Sequence, residues 1–258
     1  MKHRLRFIFG ALLAIPLLPI IFLQGKRIRK EVPKLPEAGN PEGELELGYN
    51  QKSKVLFLGE STVAGVGVKT HMEGFAGSAS RELARLNQKN IKWKVVARSG
   101  YTVRMVRRKL LRRIDDFQPD LIILGLGGND AFKLHSPWKW RMEISKLITA
   151  LNTVYPDVPI AFTNMPPIKE FPAFTKTIKF VIGNMVEILG IELHSLLKKF
   201  KNVYYSDEVI RIDDWVHLLL DKQTPDDFFS DGVHPSKLTY QTWGKEFARY
   251  LHRSGVEF

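Results

Sequence analysis

Val55-Leu-Phe-Leu-Gly59-Glu60-Ser61-Thr62 and Leu121-Ile-Ile-Leu-Gly-Leu-Gly127-Gly128-Asn129-Asp130 are two apolar runs, each closing on a glycine turn that carries polar side chains. Neither run alternates apolar with polar residues. A strand with one wet face alternates, whereas a strand covered on both faces reads as a continuous apolar run. Strands are accordingly expected at 54–58, 93–97, 120–126, 158–163 and 202–206. Helical patterns separate them at about 75–88, 103–116, 137–154 and 174–199, with a last one at about 237–253. In the second of these, Val103, Val106, Leu110 and Ile114 form one apolar stripe, and Arg104, Arg107, Arg108, Arg112 and Arg113 cover the rest. Strands alternating with helices define an α/β fold: a mostly parallel sheet of about five strands, right-handed crossovers and helices on both faces. Such sheets bind ligands at the carboxyl ends of their strands. Ser61, Gly100 and Asn129 each follow a strand and so share that edge.

Asp231-Gly-Val-His234-Pro-Ser adds a carboxylate and an imidazole three residues apart, so that one loop can carry both. A serine hydroxyl is a poor nucleophile until a base removes its proton. His234 can be that base, with Asp231 fixing its tautomer and stabilising the imidazolium. The oxyanion of the tetrahedral intermediate needs preorganised donors. Candidates are the Ser61 and Gly100 backbone N–H groups and the Asn129 side-chain amide. Taken singly, each motif has a plainer reading. Ser61 can be a helix cap, Asn129-Asp130 a turn, and Asp231 with His234 a surface turn or two ligands of a metal. Together and in this order they form the parts of an acyl-transfer site. Of the other histidines, only His217, behind Asp213-Asp214-Trp215, is a rival base.

The four blocks resemble those of the SGNH/GDSL hydrolases over about residues 54–252. Gly59-Glu-Ser61-Thr is similar to the nucleophile block and Ser99-Gly100-Tyr to the glycine block. Gly127-Gly-Asn129-Asp130 and Asp231-Gly-Val-His234-Pro are similar to the third and last. The resemblance implies a three-layer, flavodoxin-like α/β/α sandwich that hydrolyses or transfers an acyl group. It implies Ser61, Asp231 and His234 as catalytic residues and Ser61, Gly100 and Asn129 as the oxyanion hole. That chemistry requires no cofactor and no metal. Two positions depart from the family pattern. Glu60 stands where an Asp is usual, and Arg98-Ser99 stands where an Asn commonly precedes the glycine. The Gly-x-Ser-x-Gly elbow and the Walker phosphate loop do not occur. A short acyl ester, a lysophospholipid or an acetylated sugar would suit the site. An O-acyltransferase with the same triad and a non-catalytic tethered binding module on this fold are the alternatives.

The chain carries a net charge of +12, of which residues 1–34 hold +7. Lys2, Arg4 and Arg6 precede an uncharged apolar run, Phe7 to Leu23, that Lys26, Arg27, Arg29 and Lys30 close. Such a run makes about 25 Å of helix, enough to span a bilayer core. No small-x-small cleavage site follows it. Residues 1–30 are therefore expected to be an uncleaved signal anchor, with a cleaved signal peptide and secretion as the alternative. Residues 31–50, rich in Pro, Glu and Gly, read as a linker, and 51–258 as the hydrolase domain, expected on the extracytoplasmic side. Partners would then be the membrane and a small-molecule, lipid or carbohydrate ester.

A second basic stretch, 89–113, has ten Lys/Arg and no acid. It reads as a solvated helix face, as an attraction for anionic lipid, or as a site for an anionic substrate, because Arg98 and Arg104 flank Gly100. Little aromatic interleaving and no binding motif argue against nucleic acid. The absence of cysteine excludes disulfides, thiol nucleophiles and Cys-based zinc sites. Loops 164–174 and 207–230, the latter with Trp215, Phe228 and Phe229, are expected to wall the pocket.

Overall fold

Six strands form one sheet: β1 (Glu42–Leu45), β2 (Gln51–Gly59), β3 (Lys89–Ala97), β4 (Leu121–Gly125), β5 (Ile160–Phe162) and β6 (Val203–Tyr205). The computed structural model describes residues 2–218 and 223–258. Strand order is β1-β3-β2-β4-β5-β6, with β1 antiparallel to β3 and every other pair parallel. β2 and β4 lie in register from Val55↔Leu121 to Gly59↔Gly125, which sets the two apolar runs side by side and brings both glycine turns to one edge.

The lack of alternation in those runs has a direct cause. Leu56, Leu58, Ile122 and Leu124 are buried in the core on one face of the sheet, and Val55, Phe57, Leu121 and Ile123 in the core on the other. Helices cover both faces. In chain order they are α1 (Lys2–Ala14), α2 (Leu18–Glu31), α3 (Phe75–Asn87), α4 (103–113), α5 (Gly128–Phe132), α6 (Pro137–Val154), α7 (Lys176–Leu197), α8 (Ile212–Leu218) and α9 (Lys237–Arg253). α4, α6 and α7 pack on the first face, α3 and α9 on the second, giving three α/β/α layers. Side-chain caps fix several helix starts: Ser136 accepts from the Lys139 N–H ahead of Pro137, and Ser236 from the Thr239 N–H.

The sheet has one strand more than expected. Glu42–Leu45, inside the stretch read as a linker, pairs with Lys94–Ile91 at the sheet edge. Its side chains are alternately exposed and half-buried, and Gly43 lies against the Trp93 indole where a Cβ would not fit. An edge strand of two glutamates and a glycine gives no apolar run to read. α8 and the short α5 were likewise not expected.

α1 and α2 run on from one another as one long helix through a tightened 3-10 stretch at Ile15–Leu17, which contains Pro16 and precedes Pro19. Their two ends touch the same domain. His3 and Arg4 meet the Glu192 carboxylate at 2.6 and 2.7 Å, and Arg141 meets it at 2.8 Å. Phe7 packs edge-on against Trp138. At the far end the Thr175 hydroxyl donates to Gln24 Oε1 at 2.7 Å. The other face of the pair exposes Phe9, Leu12, Leu13, Phe22 and Leu23.

Burial alone would raise the Glu192 carboxyl, but hydrogen bonds from Arg4, His3 and Arg141 outweigh it and hold the group at about 2. A carboxyl depressed in the folded state stabilises above its unfolded value, and that contribution is lost as pH falls through the folded value. Glu192→Gln should therefore cost on the order of 2 kcal/mol at pH 7, less than a fully buried pair because both arginines stay partly wet. Melts between pH 7 and pH 2 should show the deficit shrinking below the ordinary carboxylate range. A deficit independent of pH would mean that packing, not charge, holds the helix.

Candidate active site

β2 ends where Gly59 passes Gly125 and Val63 with no space for a side chain. The Glu60 N–H donates to Gly125 O at 3.1 Å, and one coiled turn follows, with Ala64 N–H on Glu60 O at 2.8 Å and Val66 N–H on Ser61 O at 3.1 Å. Ser61 is half-buried at the head of that turn. Its backbone N–H has no partner among the described residues.

Glu60, which departs from the family pattern and lies outside the expected triad, is the clasp of the site. It is 5 % exposed. Oε1 accepts the Gly128 N–H at 2.8 Å, and Oε2 accepts the Asn129 N–H at 3.1 Å and the Asn129 side-chain amide at 2.7 Å. One carboxylate thus ties the turn after β2 to the turn after β4. Burial pushes it up to about 7, against the pull of the Asn129 and Gly128 N–H groups. Asp130 extends the network, accepting the Val103 N–H at the start of α4 at 2.9 Å and meeting His135 Nδ1 at 2.7 Å. It holds the loop.

The turn after β3 brings the third block. Tyr101 N–H donates to Arg98 O, and Gly100 sits at φ +78°, a conformation that favours glycine. Glu37 fixes this turn from outside, accepting the Ser99 N–H at 2.7 Å and pairing with Arg98 at 3.0 Å. The Gly100 N–H has no partner among the described residues. Tyr101 O accepts a second bond from the Asn129 amide at 3.2 Å. Of the three expected oxyanion donors, two are therefore free and the third is engaged twice.

On the Asp231/His234 loop, Asp231 Oδ2 lies 2.7 Å from His234 Nδ1, while Oδ1 accepts the N–H groups of Val233 and His234 at 2.9 and 2.7 Å. Burial alone would raise the Asp231 carboxyl, but the bonds from the His234 ring and backbone overcome it and leave the group below its ordinary value. An ionised carboxylate only accepts, so Nδ1 carries a proton, and in the neutral tautomer this selects Nε2 as the nitrogen with the lone pair. The Asp231 side chain is fully covered, whereas His234 remains 23 % exposed.

Two contacts that the sequence did not announce dock this loop on the Ser61 turn. The Ser230 hydroxyl lies 3.2 Å from Gly67 O, and the Tyr240 hydroxyl donates to Val66 O at 2.8 Å. Gly67, at φ +106°, leaves no space for a side chain between the two loops: a Cβ there would lie 2.6 Å from Pro235 O. Neither the Ser61 hydroxyl nor His234 Nε2 has a hydrogen-bond partner among the described residues. His217, the rival base, is exposed on α8.

A cavity of about 630 Å³ opens beyond β5 and β6, lined by 165–170 and 207–211 together with part of α7. Ser61 and His234 are not in its lining. The expected wall from Trp215 and Phe228 is not formed, because both are buried in the core beneath the sheet. Phe229 packs on Phe171 instead.

A three-layer α/β/α sandwich with these groups on its carboxyl edge belongs among the ester hydrolases. The sequence profile of the GDSL-like lipase/acylhydrolase family matches residues 57–242, and the chain belongs to that family. No curated protein matches it in sequence. Among solved structures it is similar to a protein from Parabacteroides merdae described as a GDSL-like lipase, at 17% identity and TM-score 0.60, over 83% of this chain and 100% of that one. It is similar to a family 3 carbohydrate esterase from Clostridium thermocellum, at 16% identity and TM-score 0.58, over 80% and 100% of the two chains. An acetylxylan esterase from Geobacillus stearothermophilus is similar at 15% identity and TM-score 0.55, over 83% and 98%. At such identities the likeness is one of fold.

Glu60→Gln leaves one acceptor oxygen and sets an NH₂ group against the N–H donor of Gly128 or those of Asn129. Its kcat on a simple ester should fall about 10–10²-fold, less than the loss of an oxyanion donor itself. KM should change little, since the clasp positions donors rather than touching substrate. An unchanged kcat in the folded variant would mean that the two turns hold their places without it.

Proposed function

We propose that the protein is a serine esterase that passes its acyl group through Ser61. The Ser61 hydroxyl attacks the ester carbonyl while His234 Nε2 takes its proton, and Asp231 steadies the resulting imidazolium. The N–H groups of Ser61 and Gly100 meet the oxyanion, and one hydrogen of the Asn129 amide turns to it from Tyr101 O. His234 then returns the proton to the departing alkoxide, which leaves as an alcohol. Water, deprotonated by the same ring, releases the acid and restores the serine. The observation that carries this reading is the Asp231–His234 pair, its outer ring nitrogen unengaged, on a loop fastened to the Ser61 turn through Ser230 and Tyr240. Its substrate is a small acyl ester. The similar fold of a carbohydrate esterase and an acetylxylan esterase supports an acetylated sugar as one form of it.

The same proposal takes residues 1–30 as membrane attachment, 31–50 as the connecting segment and 51–258 as the hydrolase domain on the extracytoplasmic side. The exposed Phe9, Leu12, Leu13, Phe22 and Leu23, flanked by cations, support attachment. A helix that spans the bilayer must release either the His3/Arg4 contacts or the Gln24 contact, since both ends touch one domain. Intact mass of the membrane-extracted protein separates an anchor from a cleaved signal peptide.

The esterase reading is tested by reacting the full chain in detergent with a fluorophosphonate probe and locating the adduct by mass spectrometry, alongside hydrolysis of p-nitrophenyl acetate and butyrate. An adduct on the peptide carrying Ser61, with turnover that declines as labelling proceeds, is the expected result. Well-folded protein that neither labels nor turns over would leave a binding role for the fold.

A further inference from the structure

Beside the candidate site lies a concave surface of about 480 Å³ whose charged lining is cationic. α4 supplies Arg104, Arg108, Lys109 and Arg112, and the segment after Asn129 supplies Lys133 and Lys139 from the opposite side. No Asp or Glu lines it. None of these six cations forms an ion pair among the described residues, although Arg107 and Arg98, on the same stretch of chain, pair with Glu143 and Glu37. Arg104, Arg108 and Arg112 are spaced four residues apart and so share one stripe of the helix, where like charges repel. α4 widens over Val106–Leu110 and tightens over Leu111–Arg113. Val103, Val106, Leu110 and Ile114 lie in the core, and the arginine stripe lies outside it. Widened turns of this kind recur at functional sites.

The surface is joined to the site by direct bonds. The Lys133 N–H donates to Asn129 O at 3.1 Å, and the His135 N–H to Asp130 O at 3.0 Å. Asp130 in turn takes the Val103 N–H at the head of α4. The two cationic walls therefore hang from the same turn that presents the Asn129 amide. Lys109 also lies over the ring of Tyr101, whose carbonyl oxygen meets that amide.

We infer that this cleft is a subsite for a phosphate group on the alcohol portion of the ester, so that the substrate is a phosphate-bearing acyl ester. The inference rests on the esterase reading for its reaction, and on the cleft alone for its ligand. Concentrated, unpaired cations on two facing walls suit a compact multivalent anion, and guanidinium groups match phosphate oxygens in pairs. An anion there also relieves the repulsion along the arginine stripe. A bilayer of anionic lipid carries the same phosphate chemistry. The cleft favours the substrate instead because it is concave, adjoins the Asn129 turn and lies on α4.

The test compares 1-hexanoylglycerol with 1-hexanoylglycerol 3-phosphate, using the full chain in neutral detergent. The wild type should prefer the phosphorylated ester by about tenfold or more in kcat/KM, and added salt should erode the preference. Arg108→Glu with Lys133→Glu should abolish it. Lys198→Glu with Lys201→Glu, the same charge change on exposed lysines at the opposite sheet edge, should leave it intact. Calorimetry with glycerol 3-phosphate reads the cleft without turnover, and should show binding in the wild type weakened about tenfold or more in the cleft variant. Turnover of the neutral ester without any preference for phosphate, or no binding of glycerol 3-phosphate, overturns the subsite and leaves the esterase standing. Loss of all turnover with glycerol 3-phosphate still bound would sink the esterase and not the cleft. Phosphatidylglycerol vesicles released by the cleft variant, with the substrate preference unchanged, would assign the cations to the membrane and overturn the proposal.

Discussion

Ser61→Ala is expected to lower kcat for p-nitrophenyl butyrate on the order of 10⁶-fold, with no fluorophosphonate adduct on the protein. The reason is that one atom is lost from a unit that works only when complete. Without the hydroxyl, His234 has no proton to remove, and Asp231 has no developing imidazolium to stabilise. Any residual rate then comes from the oxyanion donors and binding. The fold should not register the change, because the Ser61 hydroxyl makes no hydrogen bond among the described residues and the side chain is only half-buried. Its melting temperature should stay within the shift that about 0.5 kcal/mol produces. The nearby Ser230 cannot substitute, since its hydroxyl lies on the carbonyl oxygens of Gly67 and Pro235. Retention of more than about a hundredth of the wild-type kcat would move the nucleophile elsewhere and with it the mechanism.

The sheet was legible because burial on both faces leaves a mark that needs no partner to read. Val55–Leu58 and Leu121–Leu124 have no wet face, and their sequences show none. The long helices were legible through their apolar stripes, and α6 begins at Pro137 behind a serine cap. β1 was not, because an edge strand of Glu, Gly, Glu and Leu carries a strand's pairing without a strand's composition. The candidate site divides in the same way. Its four blocks were visible since each is a short run at the end of a strand or on one loop. What fastens the blocks together was not. Glu60 to Gly128, Ser230 to Gly67 and Tyr240 to Val66 are bonds between distant parts of the chain, and local patterns carry no record of them. The one available signal was a carboxylate directly after an apolar strand and beside a candidate nucleophile. A buried acid in that place has to find N–H donors, and the turn after β4 provides them. The widening of α4 was equally hidden, since its apolar spacing fits an ordinary helix.

Asp231→Asn separates the two services that Asp231 performs, and its kcat should fall about 10⁴-fold. Oδ1 holds the loop by accepting the Val233 and His234 N–H groups, a duty that the oxygen of an asparagine can keep. Oδ2 faces His234 Nδ1, where asparagine places an NH₂ group. Two donors cannot share that contact, so the ring must move its proton to Nε2 and face the amide with a bare Nδ1. Nε2, the proposed acceptor of the serine proton, then carries a hydrogen and cannot take that proton. Substrate binding makes no use of this proton, so KM should stay near its wild-type value while kcat collapses. Stability should follow a different course. The Asp231 carboxyl is held below its ordinary value, so its contribution is present above that value and lost as pH falls through the folded one. The melting temperatures of wild type and Asp231→Asn should therefore converge as pH drops below the ordinary carboxylate range, while the difference in kcat at neutral pH remains. A variant that keeps kcat within about tenfold of wild type would show that another group orients His234, and the loop would be a scaffold rather than half of the catalytic pair.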